Sequence, residues 1–223
     1  MELKIVLASN SPRRREIMES LGFDVEVIAG NVDENIEEEG ISPELLVQEL
    51  ALLKGRAIAQ KLHNDDSRNY LVVAADTVVV YNNEIFGKPQ SRADAERMLK
   101  TLSGKKHSVI TGMAVWALDS GKGCSVYEKT DVYFKKLSDE TIQAYLDTEE
   151  YKDKAGGYGI QGKGICLVEK IDGDYYNVVG FPVSKFHEVL YEEHRTNVFH
   201  ERNGSLWKKN DERKNTPRNK DSV

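Results

Sequence analysis

The sequence predicts an α/β or α+β domain built on a mixed β-sheet, and three observations carry this prediction. Short apolar, β-branched segments alternate along the chain with segments of helical pattern. Residues 71–80 are apolar on both faces, which is typical of a central strand. Residues 107–118 and 125–134 are joined by a glycine-containing turn, which predicts an antiparallel pair in the same sheet.

The N-terminal residues predict a strand, a turn and a helix. Residues 4–8 are apolar and β-branched, as in a buried strand. We expect Ser11 to cap the free amides of the following helix and Pro12 to occupy its first position, where a missing N–H costs nothing. Gly22 predicts the end of that helix.

A half-exposed strand and two helices are predicted on either side of the central strand. The strand covers residues 23–29, and the helices cover residues 42–62 and 91–102. A turn is predicted at residues 82–83. The expected apolar face of the first of these helices consists of Leu46, Leu50, Leu53, Ala57 and Ile58.

The last third of the chain predicts a helix beginning at Ser138 and a final helix over residues 182–193. Between them, residues 165–171 and 177–179 predict two strands around a turn. Residues 194–223 are basic and polar, and we expect them to form a disordered tail behind a domain of residues 1–193.

Composition excludes several classes of protein. The 223 residues carry a net charge of −6, which disfavours a protein that binds nucleic acid over its whole surface. A local basic patch is compatible with this net charge. The two cysteines, Cys124 and Cys166, are too few for a disulfide framework and lack the spacing of a zinc site. No apolar run approaches the roughly 20 residues that cross a bilayer, so we expect a cytoplasmic protein without membrane contact.

Three consecutive arginines at the predicted first helix, Arg13, Arg14 and Arg15, indicate an anion site. A helix N-terminus offers free N–H groups and a positive dipole end, and guanidinium groups add paired donors. Successive helical residues diverge by about 100°, so the three cannot all face one ligand. The alternative is a solvated basic turn, and the glycine-rich pattern of a P-loop is absent.

Asp76 is unusual because it interrupts the apolar run of the central strand. An unpaired carboxylate is costly to bury, so Asp76 needs a cation, a metal or several hydrogen bonds, or a place where the strand opens into a cleft. Lys54 and Lys88 are candidate partners for Asp76 or for phosphate oxygens, although most lysines are merely solvated.

Three further patterns allow both a functional and a structural interpretation. Asp33 and Glu34 could supply oxygen ligands to Mg²⁺ or Mn²⁺, or belong to a solvated loop. The glycines of residues 155–162 permit close backbone approach to a ligand, or a flexible connection. His107 could act as a general base, but without an evident Ser or Cys partner a hydrogen-bonded structural histidine is the better interpretation.

Taken in order, these segments resemble the Maf family of nucleotide pyrophosphatases. The resemblance covers about residues 3–190 without large gaps. The matching stretches are residues 7–14, 32–34, 74–79, 87–89, 102–104 with His107 and 111–112, 155–162, and 173–182.

The resemblance implies an α/β fold similar to that of inosine-triphosphate pyrophosphatases: a mixed twisted sheet flanked by helices, with a cleft between two lobes. It implies hydrolysis of a nucleoside triphosphate between its α and β phosphates, with a divalent cation (Mg²⁺ or Mn²⁺). The family's proton acceptor corresponds to Asp76. Arg13, Thr77 and Gln161 match the branch that acts on dTTP and UTP, whereas a branch directed at methylated GTP carries Trp, Gln and Glu there.

We therefore expect Asp76 to be catalytic and, together with Glu34, to bind the metal. The expected substrate-binding residues are Ser9, Arg13, Arg14, Lys54, Thr77, Lys88 and Gln161. One alternative is a pyrophosphatase for modified nucleotides such as pseudo-UTP or 5-methyl-UTP. The other is a nucleotide- or nucleic-acid-binding regulator of cell division and septum formation. A homodimer is compatible with either, and nucleic acid is not an expected partner.

Overall fold

The computed structural model describes residues 4–29, 32, 40–63, 70–118 and 121–194. Apart from His194, the predicted tail lies outside these residues, and so do Asp33 and the predicted metal ligand Glu34. The helices and strands are β1 (Lys4–Leu7), α1 (Pro12–Ser20), β2 (Val25–Val27), α2 (Pro43–His63), β3 (Tyr70–Tyr81), β4 (Glu84–Phe86), α3 (Arg92–Leu102), β5 (Lys106–Ala117), β6 (Lys122–Phe134), α4 (Asp139–Leu146), β7 (Val168–Asp172), α5 (Tyr175–Val179) and α6 (Val183–His194). Two short 3₁₀ helices, Ala155–Gly157 and Gly162–Leu167, lie between α4 and β7.

The seven strands form one mixed sheet. Its order is β2-β1-β3-β5-β6-β7, with β4 also paired to β3. β1 runs parallel to both β2 and β3, and the remaining pairs are antiparallel. β3 pairs with β5 over residues 71–80, in the middle of the sheet. The predictions of a mixed sheet flanked by helices and of a central strand at residues 71–80 are confirmed.

One edge of β3 is paired in two separate stretches. β1 pairs with it from Tyr70 to Val73, and β4 pairs with it from Val79 to Tyr81. No described strand pairs with residues 74–78 on that edge, because the chain leaves β1 there and turns into α1. Asp76 and Thr77 therefore stand at a gap in the sheet.

Helices cover the two faces of the sheet, and β3 contributes to both. Val72 and Ala74 pack with Ile58 of α2, whereas Val73 and Ala75 pack with Ile17 of α1. Because side chains alternate along a strand, the two faces hold even- and odd-numbered residues of β3. Asp76 thus points towards α2, and Thr77 points towards α1.

α2 packs closely on the sheet because β5 has a glycine beneath it. A Cβ atom on Gly112 would lie 2.2 Å from the backbone oxygen of Val47 in α2. The predicted inward position of Leu53 is wrong, since its side chain is 37% exposed. The buried apolar side chains described for α2 are those of Val47, Leu50, Ala51, Ile58 and Ala59, and Leu53 lies off the stripe that this spacing defines.

The strand predicted at residues 177–179 is a helix instead. The Asp174 side chain accepts a hydrogen bond from the Tyr176 amide at 2.7 Å, which caps α5. The strand predicted at residues 165–171 begins only at Val168, because a 3₁₀ helix occupies the residues before it. None of the described helices combines the length and the apolar composition that crossing a membrane requires.

Candidate active site

A cleft of about 360 Å³ lies at the gap in the edge of β3. Its walls are the turn after β1, the first turn of α1, the middle of β3, residues 153–161 and the end of α5. The structure brings together in this cleft every predicted catalytic or substrate-binding residue: Ser9, Arg13, Arg14, Lys54, Asp76, Thr77, Lys88 and Gln161.

The described lining of the cleft carries an excess of positive charge. Its five cationic side chains are those of Arg13, Arg14, Lys54, Lys88 and Lys154. Its carboxylates are those of Asp76 and Asp153. In a chain with a net charge of −6, this local excess of cations makes the cleft suitable for a polyanionic ligand.

The first turn of α1 enters the cleft wall without a side-chain cap. The prediction that the Ser11 side chain caps this helix is wrong: its hydroxyl makes no capping hydrogen bond. The Ser11 amide instead donates to Ser9 Oγ at 3.2 Å. Pro12 has no N–H, so the amides that follow it are the donors this turn offers to an anion.

Arg14 is held by acceptors from three parts of the chain. Its Nε donates to the Gly180 carbonyl at 2.8 Å, Nη1 donates to Ser9 Oγ at 3.0 Å, and Nη2 donates to Thr77 Oγ1 at 3.1 Å. The guanidinium group is therefore fixed in the cleft before any ligand binds. Arg15 diverges from it, as helical geometry requires, and forms an exposed ion pair with Glu19.

The hydroxyl of Thr77 belongs to a buried hydrogen-bond chain. Thr111 Oγ1 lies 3.0 Å from Thr77 Oγ1 and 3.0 Å from the Asn177 carbonyl. A carbonyl can only accept, so the Thr111 proton goes to Asn177 and the Thr77 proton goes to Thr111. The lone pairs of Thr77 are thereby left to accept from Arg14.

Asp76 is paired with Lys54 of α2. Lys54 Nζ lies 2.5 Å from Asp76 Oδ1, and the two side chains are 17% and 16% exposed. No other described residue hydrogen-bonds to this carboxylate. The Lys54 cation offsets the cost of burying the Asp76 carboxylate. Because the pair lies in the wall of the cleft, the second carboxylate oxygen stays available to water or a metal.

Arg13 reaches across the cleft to a residue that the sequence did not single out. Its Nη1 donates to Asp153 Oδ2 at 2.9 Å, and Lys154 Nζ donates to Asp153 Oδ1 at 2.7 Å. Partial burial opposes ionisation of Asp153, but the hydrogen bonds from the two cations prevail and lower the pKa of its carboxyl group. Asp153 and Lys154 are the cleft residues that sequence reasoning missed.

Gln161 follows the glycine-rich segment and faces the cleft between two backbone anchors. The Gly159 amide donates to Tyr145 Oη at 3.2 Å, and the Lys163 amide donates to the Glu150 carboxylate at 3.0 Å. The chain on both sides of Gln161 is thus fixed, which favours the ligand-facing interpretation of these glycines. Lys88, in contrast, is exposed at the rim.

His107 does not line the cleft. It is buried, and its Nε2 lies 2.7 Å from the hydroxyl of Tyr158, which does line the cleft. Burial lowers the pKa of His107 to about 4 and raises the pKa of Tyr158 above its usual value. This placement agrees with the structural interpretation of His107.

The carboxylate oxygens of the cleft are ligands of the kind that a hard divalent cation prefers. The described residues contain no cluster of three or more His, Cys, Asp and Glu residues able to hold a metal by themselves. Mg²⁺ commonly uses one or two carboxylates together with substrate phosphates. Asp76 supplies such a carboxylate, and Glu34 lies outside the described residues.

Comparison with known proteins gives matches over nearly the whole described chain. The dTTP/UTP pyrophosphatase of Thermosipho africanus is 50% identical over 190 residues, which cover 85% of this chain and 93% of that protein. The dTTP/UTP pyrophosphatase of Thermoanaerobacter sp. is 47% identical over 191 residues, which cover 86% and 97%.

Among solved structures, the HAM1 protein from Coxiella burnetii is similar with a TM-score of 0.43 and 16% identity, covering 60% of this chain and 74% of that one. The model of a family described as Maf-like protein matches residues 4–193. The chain therefore belongs to the Maf family.

Proposed function

We propose that this protein is a nucleoside triphosphate pyrophosphatase that hydrolyses dTTP and UTP to the nucleoside monophosphate and pyrophosphate. The observation that carries the proposal is the cleft itself, where the Asp76 carboxylate, paired with Lys54, lies in a lining with an excess of cations. The names of the relatives, which are half identical to this chain, support the reaction and the substrate class.

The cations bind the triphosphate in this proposal. Arg14 and the amides of the first turn of α1 form a rigid anion site, because the guanidinium group already has three fixed acceptors. Lys54 and Lys88 add further positive charge to the lining of the cleft. Groups fixed before the reaction stabilise developing negative charge without a reorganisation cost.

Asp76 prepares the attacking water. Its free oxygen accepts a proton as the water oxygen bonds to one of the phosphorus atoms beside the α–β bridging oxygen, and the bond between that phosphorus and the bridging oxygen breaks. Lys54 holds the carboxylate in place through Oδ1. Asp76 and Glu34 would hold the Mg²⁺ or Mn²⁺ ion, which would supply charge neutralisation and lower the pKa of water.

Gln161 is the proposed contact to the nucleobase. Its amide both donates and accepts a hydrogen bond, which suits the O4 and N3–H pair of thymine and uracil. The backbone anchors at Gly159 and Lys163 limit the positions that this amide can adopt. Arg13 and Thr77 complete the three positions that match the dTTP- and UTP-directed branch.

Pyrophosphate release from a panel of nucleoside triphosphates tests the proposal. The panel contains dTTP, UTP, their 5-methyl and pseudouridine relatives, the purine triphosphates and methylated GTP, each assayed with Mg²⁺, with Mn²⁺ and with a chelator. We expect metal-dependent release from the uracil and thymine nucleotides. Release of inorganic phosphate instead of pyrophosphate, or preference for methylated GTP, contradicts the proposal.

A further inference from the structure

A two-point contact joins two walls of the cleft, the first turn of α1 and residues 153–161. Arg13 in α1 donates from Nη1 to the side chain of Asp153 at 2.9 Å and from Nη2 to the Asp153 backbone oxygen at 3.4 Å. The two residues are 140 positions apart in sequence. Because Arg13 contacts both the side chain and the backbone of Asp153, it restrains the position of this residue as well as pairing with its charge.

Asp153 passes this restraint to the chain that precedes Gln161. Its second oxygen accepts from Lys154 Nζ, which also donates to the Glu150 carbonyl. The aliphatic stem of Lys154 lies directly on Gly159: a Cβ atom there would be 2.6 Å from Lys154 Cε. Gly159 is two residues before Gln161, and its position therefore depends on where the Lys154 stem is held.

The other hydrogen bonds described for this segment do not involve α1, whereas Ile160 packs in the core cluster that contains Ile17 of α1. Tyr145 and Glu150 hold the backbone at Gly159 and Lys163 from the side of α4 and the turn after it. Among the described residues, the contact between Arg13 and Asp153 is the polar link from this side of the cleft to the first turn of α1, where the triphosphate is proposed to bind.

We propose that Asp153 is a specificity-determining positioning residue, which through Arg13 and Lys154 fixes residues 159–163 relative to α1 and so sets where Gln161 meets the nucleobase. The inference rests on the proposed function for the identity of the substrate. It gives Arg13 a defined role: this arginine selects the base through Asp153, without touching the base itself.

Selectivity measured on Asp153→Ala tests the proposal. We expect the ratio of kcat/KM for dTTP to kcat/KM for dATP to fall by about tenfold or more, mainly through KM for dTTP. Asp147→Ala is the matched control, because Asp147 also pairs with an arginine, Arg92, at 2.7 Å but lies outside the cleft. A ratio in Asp153→Ala equal to that in Asp147→Ala overturns the proposal.

A double-mutant cycle separates a coupled role from two independent ones. If Arg13 acts on the base through Asp153, then Arg13→Ala and the double variant Arg13→Ala/Asp153→Ala lose selectivity to a similar extent. The fold-loss of selectivity in the double variant can instead equal the product of the fold-losses in the two single variants. In that case Arg13 reads the base directly, and the proposal is overturned.

Hydrogen exchange of the backbone amides gives a readout that needs no hydrolysis. We expect the Gly159 amide to exchange faster in Asp153→Ala than in Asp147→Ala, at equal global stability. Unchanged protection at Gly159 overturns the positioning role whether or not the protein cleaves nucleotides. Absence of pyrophosphate release by the unaltered chain contradicts the proposed function alone.

Discussion

Lowering the pH will destabilise this protein through His107. The ring is 2% exposed, and it packs edge-on against Phe134 with its Nε2 at the Tyr158 hydroxyl. Burial, opposed weakly by the nearby Asp131 carboxylate, lowers the pKa of His107 from 6.5 to about 4. The folded protein therefore keeps this histidine neutral at pH values where the unfolded chain protonates it.

The sign and the size of the effect follow from this difference. Between pH 6.5 and about pH 4, the unfolded state binds more protons than the folded state, so the free energy of unfolding decreases as the pH falls. One pKa unit corresponds to about 1.4 kcal/mol, so the full loss attributable to His107 is roughly 3 kcal/mol at pH 4. Above pH 6.5 His107 contributes no pH dependence.

Urea unfolding of the wild type and of His107→Gln measures this contribution. The glutamine amide can still bond to the Tyr158 hydroxyl but does not titrate. We expect the free energy of unfolding to fall between pH 7 and pH 4 by about 3 kcal/mol more in the wild type than in the variant. An equal fall in both proteins would show that the pKa of His107 is not lowered, and would refute the reasoning.

Three further substitutions test separate parts of the structure. Gln161→Glu should weaken the preference for dTTP and UTP in the nucleotide panel, and an unchanged substrate profile would remove Gln161 from base selection. Gly112→Ala should lower the free energy of unfolding by about 2 kcal/mol or more, because its Cβ atom would lie 2.2 Å from the Val47 backbone oxygen. Urea unfolding measures this change, and a stability equal to that of the wild type would show that α2 moves aside freely. Thr111→Val removes the hydroxyl that orients Thr77. This variant should raise KM for dTTP by about tenfold with little change in kcat. An unchanged KM would show that the Thr111 hydroxyl does not support phosphate binding.

The architecture of the sheet was predictable because its signals are local. Apolarity on both faces of residues 71–80 reflects burial between two layers of helices, and β3 indeed lies at the centre of the sheet. Asp76 stood out for the same reason, since a carboxylate in such a run needs a special surrounding. The structure places Asp76 at the gap in the strand pairing of β3 and pairs its carboxylate with the Lys54 cation.

The errors concern α5, whose cap and buried contacts outweigh its composition, and one side chain of α2. α5 was mistaken for a strand because Asn177-Val178-Val179 is β-like in composition, whereas the Asp174 cap and the buried hydrogen bond from Asn177 Nδ2 to the Val109 carbonyl favour a helix. Leu53 is apolar but lies off the buried stripe of α2.

Asp153 and Lys154 were missed because Lys152-Asp153-Lys154 looks like an ordinary charged turn in the sequence. Their role emerges only when the fold places Arg13 against them, from 140 residues away. The functions of the cleft residues, the boundary of the domain at residue 193, a homodimer and a cytoplasmic location stay predictions.

The kinetics of Asp76→Asn test the central claim most directly, namely that the carboxylate paired with Lys54 activates water for phosphoanhydride cleavage. We expect kcat for dTTP to fall by about a thousandfold or more, with nearly unchanged affinity for a non-hydrolysable dTTP analogue. Asp131→Asn is the control, since Asp131 is also a sheet carboxylate paired with a lysine, Lys106, but lies outside the cleft, and it should retain turnover. Pyrophosphate release by Asp76→Asn at a rate near that of Asp131→Asn would contradict the account.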